Sequence, residues 1–210
     1  MRTDHLVEVL VADRAAPKPI ARSIVLALAG GVVLSLAIFF LALGIRPDIV
    51  PALATWRFDL KVAIVLLGLG LAFSVCLDCA RPDMSRHPLR RLLLLLAVLA
   101  GAVVIELAVV PSSGWERRLI GSNALLCTPM VPILSLAPLV TMLLMLRRAA
   151  PASPTLAGAT AGLLSALAGA TLYAFHCFDD SPLFVATWYS LATVPVVAIG
   201  ALAGRWLLRW

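Results

Sequence analysis

LLLLLAVLAGAVVIELAVV, residues 92–110, is nineteen residues long and carries a single charge, Glu106. About 20 apolar residues, at ~1.5 Å rise each, are what a helix needs to cross a hydrocarbon layer of ~30 Å. Backbone polar groups inside lipid must be paired within their own segment, so the run is read as a membrane-spanning helix. Five further runs of the same kind lie on either side of it, at 23–44, 61–79, 124–146, 156–175 and 185–204. The whole chain of 210 residues is 62% hydrophobic and only 13% charged, where a soluble domain holds about 45–50% and about 25%. The fold class is therefore all-α, a polytopic bundle of six transmembrane helices. The first run is too long for the apolar core of a signal peptide, and the segment before it contains Asp4, Glu8 and Asp13, so it is expected to be retained. No internal repeat is visible, which argues against an inverted-repeat transporter.

Charge sets the expected orientation. Twelve of the seventeen Lys and Arg fall in the tail, the second and fourth loops and the C-terminal end. Five fall on the other side, as Arg46, Arg57, Lys61, Arg117 and Arg118. Basic residues accumulate on the cytoplasmic side of membrane proteins, so both termini are expected in the cytoplasm. The net charge of +6 has the same topological origin and does not indicate nucleic-acid binding. Two parts result: a cytoplasmic tail, 1–22, and a six-helix membrane domain, 23–210.

In the tail, Thr3 or Asp4 is placed to cap a short helix whose apolar face is Leu6, Val7, Leu10 and Val11. Such a helix either lies on the bilayer surface or docks into the groove of a soluble partner.

The four cysteines divide by side. Cys76 and Cys79 are one turn apart at the cytoplasmic end of the second span and read as buried structural thiols. Cys127, near the outer end of the fourth span, and Cys177, just past the outer end of the fifth, sit at similar depth on the oxidising side. Three readings stand for them: unrelated interface thiols, a redox pair within disulfide reach, or a metal site. Cys127, Cys177, His176 and Met130 would suit Cu(I), and the same set without Met130 would suit zinc. Asp179 and Asp180 precede Ser181 and Pro182, ordinary turn chemistry in which a carboxylate caps the sixth helix. They do not favour a thiolate, so ordering the turn or attracting a cation is their expected role. Glu106 either pairs with Arg117, Arg118 or Lys61 or reaches out to the outer interface. Pro129, Pro132 and Pro138 should bend the fourth span.

The opening MRTDHLVEVLVAD, the RPD at 46–48 and above all HCFDDSPLFVATWY at 176–189, following the earlier Cys127, resemble the NrsF family over nearly the whole chain. The resemblance implies a six-span protein of the bacterial inner membrane, a negative regulator of an extracytoplasmic-function (ECF) sigma factor, with no enzymatic activity. It implies that the tail helps hold the sigma factor away from RNA polymerase. It also implies that Cys127 and Cys177 are the thiols that sense oxidative or heavy-metal stress; His176, Asp179, Asp180 and Met130 are then expected to support the site. Nothing carries over to Cys76 and Cys79. The partners would be the sigma factor and membrane lipid, with no direct nucleic-acid contact; no cofactor is expected, and Cys127, Cys177 and His176 are the candidate ligands should a thiophilic metal bind transiently. The polar cluster after the fifth span then becomes a sensor mouth open to the periplasm. The rival classes are a membrane thiol-disulfide oxidoreductase and a small transporter.

Overall fold

The computed structural model describes residues 20–82 and 87–209. The tail face of Leu6, Val7, Leu10 and Val11 lies outside the described residues, as does the middle of the Arg81–Arg91 loop. Six helices are long and apolar enough to cross a membrane: α1 (Ile20–Ala42), α2 (Trp56–Cys79), α3 (Pro88–Val109), α4 (Ala124–Leu146), α5 (Pro154–Ala174) and α6 (Pro182–Leu207). No strand occurs among the described residues. Their outer faces expose large apolar side chains such as Leu41, Leu93, Leu125 and Val194, as lipid contact requires.

Most boundaries shift by a few residues from the hydropathy reading, and two of the shifts have a visible cause. The second span begins at Trp56 rather than at 61, because Arg57 and Lys61 find carboxylate partners inside the protein and need not leave the helix. The sixth begins at Pro182, where the Ser181 hydroxyl accepts from the Leu183 N–H and a proline at the first position is pre-set for helix. It then passes through a wider π turn, Val185–Tyr189, before resuming α geometry.

The central helix is α5, packed against α6, α4 and α2. Its sequence is rich in Ala, Gly, Ser and Thr, and small residues are what allow helices to approach closely where lipid removes the hydrophobic drive between them. Gly158 and Gly162 of α5 face Gly200 and Gly204 of α6. A side chain at Gly162 would put its first carbon 2.6 Å from the Val196 carbonyl oxygen, and one at Gly204 would put it 2.5 Å from that of Pro154. By contrast α3 is largely exposed and buries only Pro88, Ala102 and Glu106.

The α1–α4 contact shows how a proline is accommodated. Pro138 has no N–H to give, so the carbonyl of Leu134 one turn earlier loses its helical donor. Ser35 of α1 supplies one, its hydroxyl donating to the Leu134 oxygen at 2.6 Å, and Gly31 lets the α1 backbone come down on Pro138. Ser35→Ala is expected to orphan that buried carbonyl and lower stability by about 1 kcal/mol, measured as a lower thermal midpoint of the purified protein in detergent.

Buried residues form two main groups. One, with Ile24, Cys76, Leu146, Ala157 and Leu208, lies at the end where α1 begins and α6 finishes, so the two described chain ends share one side. The other, with Phe39, Ala124, Cys127, Tyr173, Cys177 and Phe184, fills the opposite end.

Candidate functional site

At that opposite end the loop after α5 runs His176, Cys177, Phe178, Asp179, Asp180, Ser181, and each residue has a separate task. Asp179 accepts from the backbone N–H groups of Ser122, at 2.9 Å, and Asn123, at 2.8 Å. It therefore serves the start of α4, whose free N–H groups and dipole favour an anion. This corrects the expectation that a carboxylate caps the sixth helix; Ser181 does so. Gly121 makes the approach possible. Its backbone (φ 61, ψ −165) is accessible essentially to glycine alone, and a side chain there would meet Asp179 Cγ at 2.6 Å.

Asp180 binds two cations, Lys61 Nζ in a short ion pair and Arg46 Nη1 at 3.0 Å. Arg46 also holds Asp48 at 2.7 Å and lies over the Phe178 ring at 5.0 Å. Both cations donate to the Cys177 carbonyl oxygen, Lys61 at 2.9 Å and Arg46 at 3.1 Å. The guanidinium holds the Asp48 carboxyl below the usual range, and the same hydrogen bond raises Arg46, against burial that opposes it. Lys61 is 1% exposed and Arg46 5%. Buried charges of this kind persist only when paired and hydrogen-bonded. They form an ionic roof that pins the Cys177 backbone to α2 and to the α1–α2 loop.

Beneath the roof are the two thiols. Cys127, in the first turn of α4, and Cys177 are both fully buried, both free, and packed in one cluster with Tyr173, Phe184, Val185 and Tyr189. Met130, half-buried, packs against the same cluster. The expected open mouth is thus a closed chamber. The Cys177 thiol donates to the Asp179 carbonyl at 3.7 Å. Burial pushes this thiol up to about 11, partly offset by Lys61, so at neutral pH it is protonated and a poor nucleophile.

His176 is turned elsewhere. Its Nδ1 donates to the Gly44 carbonyl oxygen at 3.0 Å, and its ring sits between those of Tyr173 and Phe178. Among the described residues no three His, Cys, Asp or Glu side chains form a group fit to hold a metal ion. The thiols and Met130 are brought together; His176, Asp179 and Asp180 serve the loop around them.

Glu106 is fully buried, so it does not reach out to the interface. It takes Arg118 at 2.6 Å and Arg57 at 3.4 Å. Of the partners expected for it, Arg118 is found, whereas Lys61 belongs to Asp180. A cleft of about 510 Å³ lined by Arg57, Arg117, Arg118, Asp179 and Asp180 opens beside the roof. At the other end of the bundle Cys76 and Cys79 are buried and free, and Arg91 pairs with Asp78 at 2.9 Å.

Two contributors escaped the sequence reading. Tyr173 and Tyr189 are buried beside the thiols, and neither hydroxyl has a hydrogen-bond partner among the described residues. Their placement in YAFHCFDDSPLFVATWY, at its two ends, was the available signal.

Residues 10–210 match the family model described as "NrsF: Negative regulator of sigma F". The "Anti-sigma-F factor NrsF" of Caulobacter vibrioides (strain NA1000 / CB15N) is 36% identical over 222 residues, covering 100% of both chains. The "Probable anti-sigma-F factor NrsF" of Azospira oryzae (strain ATCC BAA-33 / DSM 13638 / PS) is 29% identical over 215 residues, again covering 100% of both. No solved structure matches the chain.

Proposed function

The chain belongs to the NrsF family of negative regulators of sigma F, and on that premise we propose that it is an anti-sigma factor of the bacterial inner membrane that holds an ECF sigma factor through its cytoplasmic tail and releases it when Cys127 and Cys177 are modified. The full-length family match carries this reading. The orientation rests on the excess of Lys and Arg at the end where α1 begins and α6 finishes. That end faces the sigma factor, and the thiol chamber faces the periplasm.

Coupling runs through packed helices. An oxidant takes two electrons from the thiols, whose protons leave as the S–S bond forms, or a thiophilic metal displaces both protons. Either event joins the first turn of α4 to the loop after α5. Through Pro138 that helix packs on α1 at Gly31 and Ser35, and the tail directly precedes α1 in the sequence. A shift of α4 is therefore felt where the sigma factor is held.

The tail supplies the test. Leu6→Asp with Leu10→Asp is expected to give constitutive transcription of the sigma-dependent genes while membrane insertion stays normal. Undiminished co-purification of the sigma factor with that variant would move the contact from the tail to the inner loops.

A further inference from the structure

We infer that Tyr173 and Tyr189 are working parts of the thiol chamber, their hydroxyls being the hydrogen-bond donors that receive the sulfur of Cys127 or Cys177 when it loses its proton. The inference rests on the reading of the two cysteines as the sensor.

Buried hydroxyls are nearly always paired. Here two lie at 0% and 4% residue exposure with no partner among the described residues, where phenylalanine would fill the same space without an orphaned polar group. Both belong to the cluster that encloses the thiols, and their ring centroids are 6.1 Å apart. Tyr173 is one turn before Cys177, whose backbone N–H donates to the Tyr173 carbonyl at 3.0 Å. The π turn ends on Tyr189. One additional residue in a turn rotates the remainder of the helix by about 100°, and such turns are frequent at functional sites.

At rest the Cys177 thiol donates to the Asp179 carbonyl, and its neutral sulfur is only a weak acceptor. Once its proton is gone the sulfur becomes a strong one. The two roof cations already give hydrogen bonds to Asp180 and to the Cys177 carbonyl. The tyrosine hydroxyls are donors with nothing else to serve, in a low-dielectric chamber where a hydrogen bond to an anion is strong. Thiolate is the species that attacks an electrophile, joins a disulfide or binds a metal, so the same donors serve every trigger.

The experiment uses the full chain in nanodiscs and N-ethylmaleimide, a small neutral electrophile. Alkylation at each cysteine is followed by mass spectrometry, with Cys76 and Cys79 as internal references. Tyr189→Phe is expected to slow alkylation of Cys127 and Cys177 by about tenfold, the worth of one hydrogen bond to a charged group. Tyr173→Phe should slow it in the same direction, while Cys76 and Cys79 keep their rates. The thermal midpoint of each variant should be unchanged or higher, since an orphaned hydroxyl has been removed. Unchanged rates at the pair overturn the inference. So does faster alkylation with a lower midpoint, which would mean the hydroxyls hold the fold. The sensor reading fails separately, if a Cys127→Ser protein remains inducible while the tyrosine effect on alkylation stands.

Discussion

Asp180→Ala is expected to destabilise the protein by about 3–5 kcal/mol, the cost of breaking a buried ion pair from one side. Lys61, at 1% exposure, would keep only the Cys177 carbonyl as partner, and Arg46 would retain Asp48 but lose its tie to the loop. Lys61→Met should be far milder, because Asp180 keeps Arg46 and the methionine fills the lysine's apolar path through the bundle. The double variant, Asp180→Ala with Lys61→Met, should recover much of the loss, since no unpaired charge remains in the interior. Unfolding of the three purified proteins in mixed micelles gives the comparison. Asp180→Ala as stable as the parent would mean that Lys61 escapes to water and that the ionic roof does not hold the loop. The same variant should also expose Cys177 to alkylation, because the roof pins the backbone of that residue.

The span count was legible because lipid makes one demand that composition reports directly: about 20 apolar residues per crossing. The start of the second span was not, because hydropathy counts Arg57 and Lys61 as penalties. Their partners, Glu106 and Asp180, are 49 and 119 residues away along the chain, and no periodicity encodes such a distance. The same limit misassigned Asp179. Next to Ser181 and Pro182 it reads as a cap for the nearer helix, yet it spans 56 residues to reach the start of α4. Side-by-side placement of His176, Cys177, Asp179 and Asp180 suggested one polar site. In three dimensions the imidazole, the thiol and the two carboxylates point to four different neighbours. Only the thiol joins Cys127, and burial rather than polarity defines the chamber. Cys127 on the fourth span and Cys177 just past the fifth were placed at similar depth by the sequence, and both belong to one buried cluster. The tyrosines were passed over because an aromatic in a span is ordinarily core, and only the missing hydrogen-bond partners distinguish these two.

Cys127→Ser and Cys177→Ser are each expected to abolish induction by oxidant and by thiophilic metal while leaving repression intact. Repression should persist because the resting chamber contains two free thiols and no bond between them, and serine is close in volume. Induction should vanish in either variant because the proposed mechanism uses both sulfurs. Moving a switch from 1:99 to 99:1 needs about 5.5 kcal/mol of preference between its states, whereas a crosslink contributes about 2–4 kcal/mol. The crosslink suffices only if the holding state is already near its limit, or if closing the bond also breaks roof contacts to Asp180 and the Cys177 carbonyl. On the proposed mechanism the second condition applies, since the carbonyl that takes hydrogen bonds from Arg46 and Lys61 belongs to one of the two residues to be bonded. Roof-weakened variants such as Lys61→Met should then induce at lower oxidant concentrations than the parent, and that sensitisation should disappear when Cys177→Ser is added. Cys76→Ser and Cys79→Ser should leave the dose response unchanged, because both are buried at the far end of the bundle, Cys76 within the other buried group. Reporter transcription against oxidant and against cadmium, measured in the same strains, separates the triggers. A Cys127→Ser strain that still responds to both would make the pair a packing feature and place the sensor elsewhere.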